Sequence, residues 1–312
     1  MSDSLRRSFA RLLTGLAVCT VSVAMAQTKL TVGIAPAGEF IATMVAKEQG
    51  FFKKRGLDVE VQIMQVGLMA PAVQSGSVQI GAMGTPSLLQ AVDGGLDLVA
   101  VAGGAIASKS DINYGIVVKA GAPIDKPSDL IGKKLGTPGL EGFFHVLVRE
   151  WLRVNQVDPR KVSYVEVQFP QLADVLKAGT VDAILTTEPF KSRTLEAGIG
   201  GKFFNIAADL PDGLPPFLYT AKRAWVDANA AAARAFREAL DEGIRFAEAN
   251  PDAARADYGK YVKLPPDALA KVRWNKMNAV VKPAQIGLWE TMMRSQEMLR
   301  SGRIDLDRLV MP

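Results

Sequence analysis

Two short segments of the chain carry polar side chains in a spacing that suits non-covalent binding of a small ligand. Thr85 and Pro86 follow an apolar run at residues 78–83, and Glu188 and Pro189 follow a similar run. Threonine is a favourable N-cap and proline suits the first helical position, so each run predicts a buried strand that leads into a helix. The first N–H groups of such a helix point beyond the strand without an internal partner. We therefore predict a ligand site at these strand ends.

The two segments belong to an internal repeat. Residues 76–86 return as residues 179–189 without a gap, at an offset of 103 residues. Upstream, VEVQI at residues 59–63 returns as VEVQF at residues 165–169, at an offset of 106. Two matches in the same order and at nearly the same offset predict two similar α/β units in one chain, with a ligand cleft between them.

Residues that build other kinds of site are scarce. Cys19 is the only cysteine and His145 the only histidine among the 312 residues. Because Cys19 lies in a segment that we expect to be removed, disulfides, cysteine nucleophiles and thiolate metal sites are excluded, as is a metal site with several histidines. The net charge of +5 is too small and too dispersed to favour nucleic acid. We expect no cofactor, no metal and no nucleic-acid partner.

The first 26 residues predict an export signal. Three arginines precede an apolar run at residues 12–23, and Ala24-Met25-Ala26 gives the small-x-small pattern of a cleavage site. The run is short for a membrane span, and no later segment reaches about 18 uninterrupted apolar residues. We therefore expect a periplasmic protein that begins at Gln27. A twin-arginine signal at residues 5–9 and a less favoured lipid anchor at Cys19 stay open as alternatives.

The elements that must position the polar side chains follow a βαβ rhythm. Strand patterns at residues 30–34, 59–64 and 96–101 alternate with helix patterns, and the first helix has apolar residues at helical spacing from Ile41 to Phe52. This rhythm predicts an α/β fold with mostly parallel sheets wrapped by helices. Ligands of such folds bind beyond the carboxyl ends of the strands.

A second set of elements begins with a strand pattern at residues 114–118. Residues 133–137 predict another strand, and the helix after it has apolar residues at i, i+3, i+4, i+7 and i+8 counted from Phe144. Residues 217–221 predict a strand that returns to the first unit. From Asn229 onward the pattern predicts helices that pack on that first unit.

These motifs resemble a known protein family. AKEQGFF at residues 46–52, GLDVE at 56–60, GSVQIG at 76–81 and KPSDLIGKKLG at 126–136 are similar, in type and order, to motifs of the periplasmic solute-binding proteins of ABC importers. The group in question is the one for nitrate, sulfonates and thiamine-pyrimidine precursors (SsuA/THI5-like, NMT1). Val181-Asp182-Ala183 with Glu188-Pro189 completes the set, and after Leu214 the match is only general.

The resemblance implies the two-lobed periplasmic binding protein fold of type II, with the ligand cleft between the lobes. Residues 27–108 and 215–312 would form the first lobe and residues 109–214 the second, and the two crossings near Lys109 and Leu214 would form a hinge.

The resemblance also implies a function. We expect a monomeric, non-enzymatic binding protein that delivers a small solute to a membrane ABC permease with its ATPase by closure of the cleft. An enzyme of the same fold (a pyrimidine synthase or a dehydratase) and a ligand sensor coupled to a receptor are the alternatives. The cysteine-rich motif of the pyrimidine synthases is absent from this sequence.

Loops at the strand ends hold the predicted ligand contacts, which are Glu39, Phe40, Gln65, Thr85, Gly139, Glu141, Phe143, Phe144 and Glu188. Each acid has a helix cap as its alternative role, each phenylalanine has the core, and His145 is a weaker candidate contact. Three acids and no arginine lie on these loops, with Lys109 the only nearby base. We therefore expect a neutral or amine-bearing ligand, such as a heterocycle, between aromatic walls. An aliphatic sulfonate, taurine or nitrate held by helix N-termini stays open as the alternative.

Overall fold

The structure, a computed structural model, describes residues 27–110 and 114–312. The predicted export signal, with its cleavage site after Ala26, its twin-arginine alternative and Cys19, lies outside the described residues. Among the residues that are described, no helix combines the length and the apolar character needed to cross a membrane.

The first of two five-stranded sheets is built from both ends of the chain. Its strands are β1 (Thr28–Ile34), β2 (Leu57–Ile63), β3 (Ile80–Gly84), β4 (Leu98–Ala102) and β10 (Phe217–Lys222). Their spatial order is β2-β1-β3-β10-β4. β1 lies parallel to β2 and β3, whereas β10 is antiparallel to β3 and β4. Every residue of β3 and β4 is buried, as expected for strands that are covered on both faces.

The second sheet repeats this arrangement. Its strands are β5 (Tyr114–Lys119), β6 (Lys134–Thr137), β7 (Ser163–Glu166), β8 (Ala183–Thr187) and β9 (Gly200–Phe204). Their order is β7-β6-β8-β5-β9, with β6 parallel to β7 and β8, and with β5 antiparallel to β8 and β9. Each sheet is therefore parallel except for one inserted strand, which confirms the predicted α/β fold with mostly parallel sheets.

Helices cover both sheets. They are α1 (Ile41–Glu48), α2 (Phe51–Lys54), α3 (Met69–Ser75), α4 (Thr85–Asp93), α5 (Phe143–Val154), α6 (Leu172–Ala178), α7 (Phe190–Glu196), α8 (Arg223–Ala228), α9 (Ala230–Ala249), α10 (Pro251–Tyr261), α11 (Pro266–Ala270), α12 (Pro283–Ser295) and α13 (Leu306–Leu309). The predicted first helix is divided into α1 and α2, because Gly50 between them adopts a φ of +74°. We call each sheet with the helices that pack on it a lobe. We assign α8 to α13 to the first lobe, because α8, α9 and α13 contact its strands and α10 and α12 contact α1 and α4.

The internal repeat is confirmed by matching elements. α3 and β3 of the first lobe are followed at the offset of 103 residues by α6 and β8 of the second. α3 ends at Gly76 and α6 ends at Gly179, and both glycines have a positive φ that strains other residues. The lysine that ends the inserted strand approaches each glycine, Lys222 in the first lobe and Lys119 in the second.

Two chain segments connect the lobes, and they lie side by side. Ala107 and Leu214 form an antiparallel bridge in which the Ala107 N–H donates to the Leu214 carbonyl at 2.7 Å. The Gly213 N–H donates back to the Ala107 carbonyl at 2.9 Å. The Lys109 N–H donates to the Asp212 carboxylate at 2.9 Å. The crossings predicted near Lys109 and Leu214 thus run next to each other, while the lobe boundaries given above stay a prediction.

Candidate functional site

The ends of β3 and β8 approach the same place. Gly84 ends β3, and a Cβ added to it would lie 3.9 Å from the Cβ of Phe143, which begins α5 of the second lobe. Thr187 ends β8, and its hydroxyl donates to Oε1 of Glu39 at 3.1 Å. Glu39 lies in the short turn between β1 and α1 of the first lobe, so the carboxyl ends of the strands of both lobes meet here.

A series of aromatic rings runs from the first lobe to the second at this meeting point. The Phe40 and Phe217 rings of the first lobe lie 5.1 Å apart, and Phe217 lies 5.5 Å from Phe143 of the second lobe. Phe143 contacts Phe144 at 4.7 Å, and Phe144 contacts Phe169 at 5.7 Å. Phe40, Phe143 and Phe144 are predicted site residues and all are buried. Phe169 and Phe217 were missed, although Phe217 directly follows the predicted crossing.

Glu188 is paired within the protein. Its Oε1 lies 2.7 Å from the Lys191 ammonium group, and both side chains are more than nine-tenths buried. The Ser192 N–H and hydroxyl also donate to this carboxylate. Glu188 therefore caps the first turn of α7, which was its alternative role. Lys191 was missed as a base near the site, although an i, i+3 spacing to Glu188 on a helix was a usable signal.

Thr85 does not cap α4, and this part of the sequence prediction is wrong. The helix begins at Thr85 itself, with Gly84 as the N-cap and Pro86 in the first turn as expected. The Thr85 hydroxyl donates instead to the Pro215 carbonyl at 2.5 Å, and its N–H donates to the Pro216 carbonyl at 3.0 Å. Because Pro215 is 130 residues away in the chain, local sequence could not reveal this partner.

The remaining predicted contacts are not buried. Gln65 and Glu141 are exposed, Gly139 is half-buried, and the base Lys109 is exposed. Glu141 has a positive φ of 60°, and its N–H donates to His145. The structure therefore brings Glu39, Phe40, Thr85, Phe143, Phe144 and Glu188 into a buried set, and it leaves the other three predicted residues outside that set.

His145 is buried beside the site and uncharged at neutral pH. Its Nδ1 accepts from the Glu141 N–H at 2.7 Å, so Nε2 carries the proton. Its ring lies 4.4 Å from the Tyr164 ring. Burial, assisted by the positive charge of Arg149, lowers the pKa of His145 to about 4. Nε2 is buried without a hydrogen-bond partner among the described residues.

Taken together, the residues of the buried set carry groups that are suited to non-covalent contacts. They offer aromatic faces, one carboxylate with a threonine donor and one ion pair. Among the described residues, no group of three or more His, Cys, Asp or Glu side chains is arranged to hold a metal ion.

Similarity to known proteins covers most of the chain. The family model described as NMT1/THI5 like matches residues 37–254. A putative thiamine biosynthesis protein of Haemophilus influenzae is 28% identical over 224 residues, which are 70% of this chain and 68% of that protein. The nitrate import ATP-binding protein NrtC of Synechocystis is 26% identical over 236 residues, 70% of this chain. The chain spans only about a third (35%) of the length of NrtC.

The fold is shared with solved structures. The periplasmic aliphatic sulphonate binding protein SsuA of Escherichia coli superposes with a TM-score of 0.75 at 20% identity, over 90% of this chain and 97% of SsuA. The two-lobed periplasmic binding protein fold predicted from the sequence is therefore confirmed. With a family match over more than half of its residues, the chain belongs to the NMT1/THI5-like family.

Proposed function

We propose that this chain is the extracytoplasmic solute-binding protein of an ABC importer and that it delivers a small organic molecule by closure of its cleft. The observation that carries the proposal is the convergence of both lobes on one buried place, where Glu39 accepts from Thr187 and Phe217 packs on Phe143. A solute bound there would contact both lobes only in the closed state, so its binding would favour closure. The family and the fold support this function.

The partners follow from the same proposal. The chain would hand its solute to a membrane permease driven by an ATPase, and NrtC, to which it is similar, is named as a nitrate import ATP-binding protein. We propose a monomer in the periplasm that catalyses no reaction and needs neither a cofactor nor a metal.

For the solute itself we propose a neutral or amine-bearing heterocycle. The series of rings from Phe40 to Phe169 favours a flat, polarisable ligand, and Glu39 favours a ligand that carries an N–H donor. The three acids on the loops support this choice less than the sequence suggested. Lys191 neutralises Glu188, and Glu141 is exposed. The proposal therefore rests on the rings and on Glu39.

A sulfonate, taurine or nitrate is the second candidate. Lys191 places a buried positive charge beside the predicted contact Glu188, and SsuA, which shares the fold, is named as an aliphatic sulphonate binding protein. An anion could bind to the Lys191 ammonium group if Glu188 gave up its ion pair with that group.

Mass spectrometry of small molecules released by denaturing the purified exported protein tests the proposal. A heterocycle present at near-stoichiometric amount is the expected result. A sulfonate would favour the second candidate instead. A released molecule that is a turnover product of an added precursor would contradict the binding function and favour an enzyme.

A further inference from the structure

The second crossing segment is held by side chains of the first lobe. The carbonyl of Pro215 accepts two hydrogen bonds, from Thr85 Oγ1 at 2.5 Å and from Trp289 Nε1 at 2.9 Å. Gln285 Nε2 donates to the Gly213 carbonyl at 3.0 Å. Because prolines lack an N–H, Pro215 and Pro216 cannot donate to a strand ladder, so at these two positions only the carbonyls can hold the backbone by hydrogen bonds.

Both donors to Pro215 are shielded from water. Thr85 and Trp289 have no exposed surface. A buried carbonyl that loses a donor has no water to replace it, so each of these bonds constrains the segment more than an exposed bond would.

The same residues also adjoin the candidate site. The Trp289 ring lies 5.5 Å from that of Phe143, on the second lobe. Phe217, the residue after Pro216, contacts both Phe40 and Phe143. A movement of the crossing segment would therefore move a ring of the site wall.

We propose that Thr85 and Trp289 are positioning residues of the hinge, and that their shared hydrogen bonds to the Pro215 carbonyl set how far the two lobes separate. Thr85 would then affect solute binding by positioning the hinge. The consequence for solute uptake rests on the proposed function, whereas the effect on lobe separation does not.

A merely structural hydroxyl offers a matched control. Thr220 is also fully buried, and its Oγ1 donates to the Gly81 carbonyl at 3.0 Å, but this bond joins β10 to β3 inside the first sheet. Thr85→Val and Thr220→Val each remove one buried hydroxyl of the same kind with little change of shape. Only Thr85→Val removes a hydrogen bond to the crossing segment. Thr85→Ser keeps a hydroxyl at this position and should keep that hydrogen bond.

The test is a distance measurement between the lobes in the absence of solute. Spin labels on Lys177→Cys in α6 and Arg234→Cys in α9 would report the distance between the lobes by double electron–electron resonance. Both positions are exposed, and the described residues contain no cysteine. We expect Thr85→Val and Trp289→Phe to shift the distances to longer and broader distributions. Thr85→Ser and Thr220→Val should match the parent protein.

Equal distributions for Thr85→Val and Thr220→Val would overturn the proposal. If Thr85→Val does not fold, the test rests on Trp289→Phe, because that change removes the other hydrogen bond to the Pro215 carbonyl and keeps an aromatic ring. An unchanged distribution in that variant would overturn the proposal as well. Because no solute is added, the distance measurement tests the hinge proposal even if the proposed binding function is wrong.

Discussion

Thr187 of the second lobe donates a hydrogen bond to Glu39 of the first, with 3.1 Å between Oγ1 and Oε1. Both side chains are buried, at 2% and 8% exposure. A hydrogen bond to a carboxylate in such surroundings is stronger than one between neutral groups in water. The bond therefore ties the end of β8 to the turn that follows β1.

Replacing Thr187 by valine should destabilise the fold. The change keeps the shape of the side chain but removes a donor to a buried carboxylate, which costs about 1–3 kcal/mol. The free energy of unfolding in urea measures this loss. Thr194→Val is the control, because its hydroxyl donates to the Phe190 carbonyl within one helix. A loss no larger than that of the control would mean that the bond between the lobes adds no stability.

Replacing Lys191 by methionine should strongly lower the free energy of unfolding. Glu188 would lose its ion-pair partner in a buried place, and breaking a buried ion pair by removing one partner typically costs about 3–5 kcal/mol. The double variant Glu188→Gln/Lys191→Met should recover part of the loss, because no uncompensated charge remains. Urea unfolding of the parent protein, of the single variants Glu188→Gln and Lys191→Met and of the double variant gives the coupling energy between the two residues. The Lys271–Glu196 pair, whose side chains are more than half exposed, is the comparison and should lose far less. Equal losses in the two pairs would contradict the expected effect of burial.

The stability of the protein should decrease as the pH falls through the weakly acidic range. His145 has a pKa of about 4 in the folded chain against an ordinary value of 6.5. Between these values the unfolded chain binds a proton that the folded chain does not, so stability present above pH 6.5 is lost towards pH 4, by about 3 kcal/mol. Urea unfolding at several pH values checks this slope.

The control for this slope is His145→Gln, whose side-chain oxygen can still accept from the Glu141 N–H. Its stability should lack this component of the pH dependence. Because His145 is the only histidine, its ring signals in an NMR titration belong to one residue. A folded-state pKa near 6.5 would refute the prediction directly.

A thermal-shift panel should sort the solute classes. Saturation at a hundredfold excess over the dissociation constant adds about 2.7 kcal/mol of stability, which raises the melting temperature by several degrees. We expect heterocycles and amines to produce this shift, and sulfonates, taurine and nitrate to leave the melting temperature unchanged. Shifts with the anions alone would show that our inference from the rings and from Glu39 is wrong.

Export should leave a mature chain that begins at Gln27 and carries no lipid. The Ala24-Met25-Ala26 pattern is the physical signal for this cleavage. The intact mass of the exported protein decides the question. A mass that corresponds to a diacylglyceryl group on Cys19 at the N-terminus would establish the lipid-anchored alternative.

The sequence predicted the strands and helices around the site better than the hydrogen bonds and ion pairs of its side chains. The repeat aligned Gly76 with Gly179, and in the structure both glycines follow a helix with a positive φ, a conformation that favours glycine. The same repeat placed Thr85 and Glu188 at equivalent positions. In the structure these two residues differ, since Thr85 donates to the distant Pro215 carbonyl and Glu188 pairs with the nearby Lys191.

The reason for this difference is the range of the interactions. Periodicity and turn residues report on a few neighbouring positions, whereas the partner of Thr85 depends on where the second crossing passes. Phe169 was missed for the same reason, because only the fold brings it to within 5.7 Å of Phe144. The burial of Glu39 likewise depends on the approach of Thr187 from the other lobe.

The inserted strand of the first sheet has a consequence for the order of folding. β10 lies between β3 and β4, yet more than a hundred residues separate it from either strand. The second sheet uses only strands between residues 114 and 204, so its pairings close shorter loops and cost less chain entropy. The second lobe can therefore reach its native pairing while β3 and β4 still lack the strand between them. A nascent chain that stopped before Phe217 would expose those two edges, and the first lobe would be the part at risk of pairing with another chain.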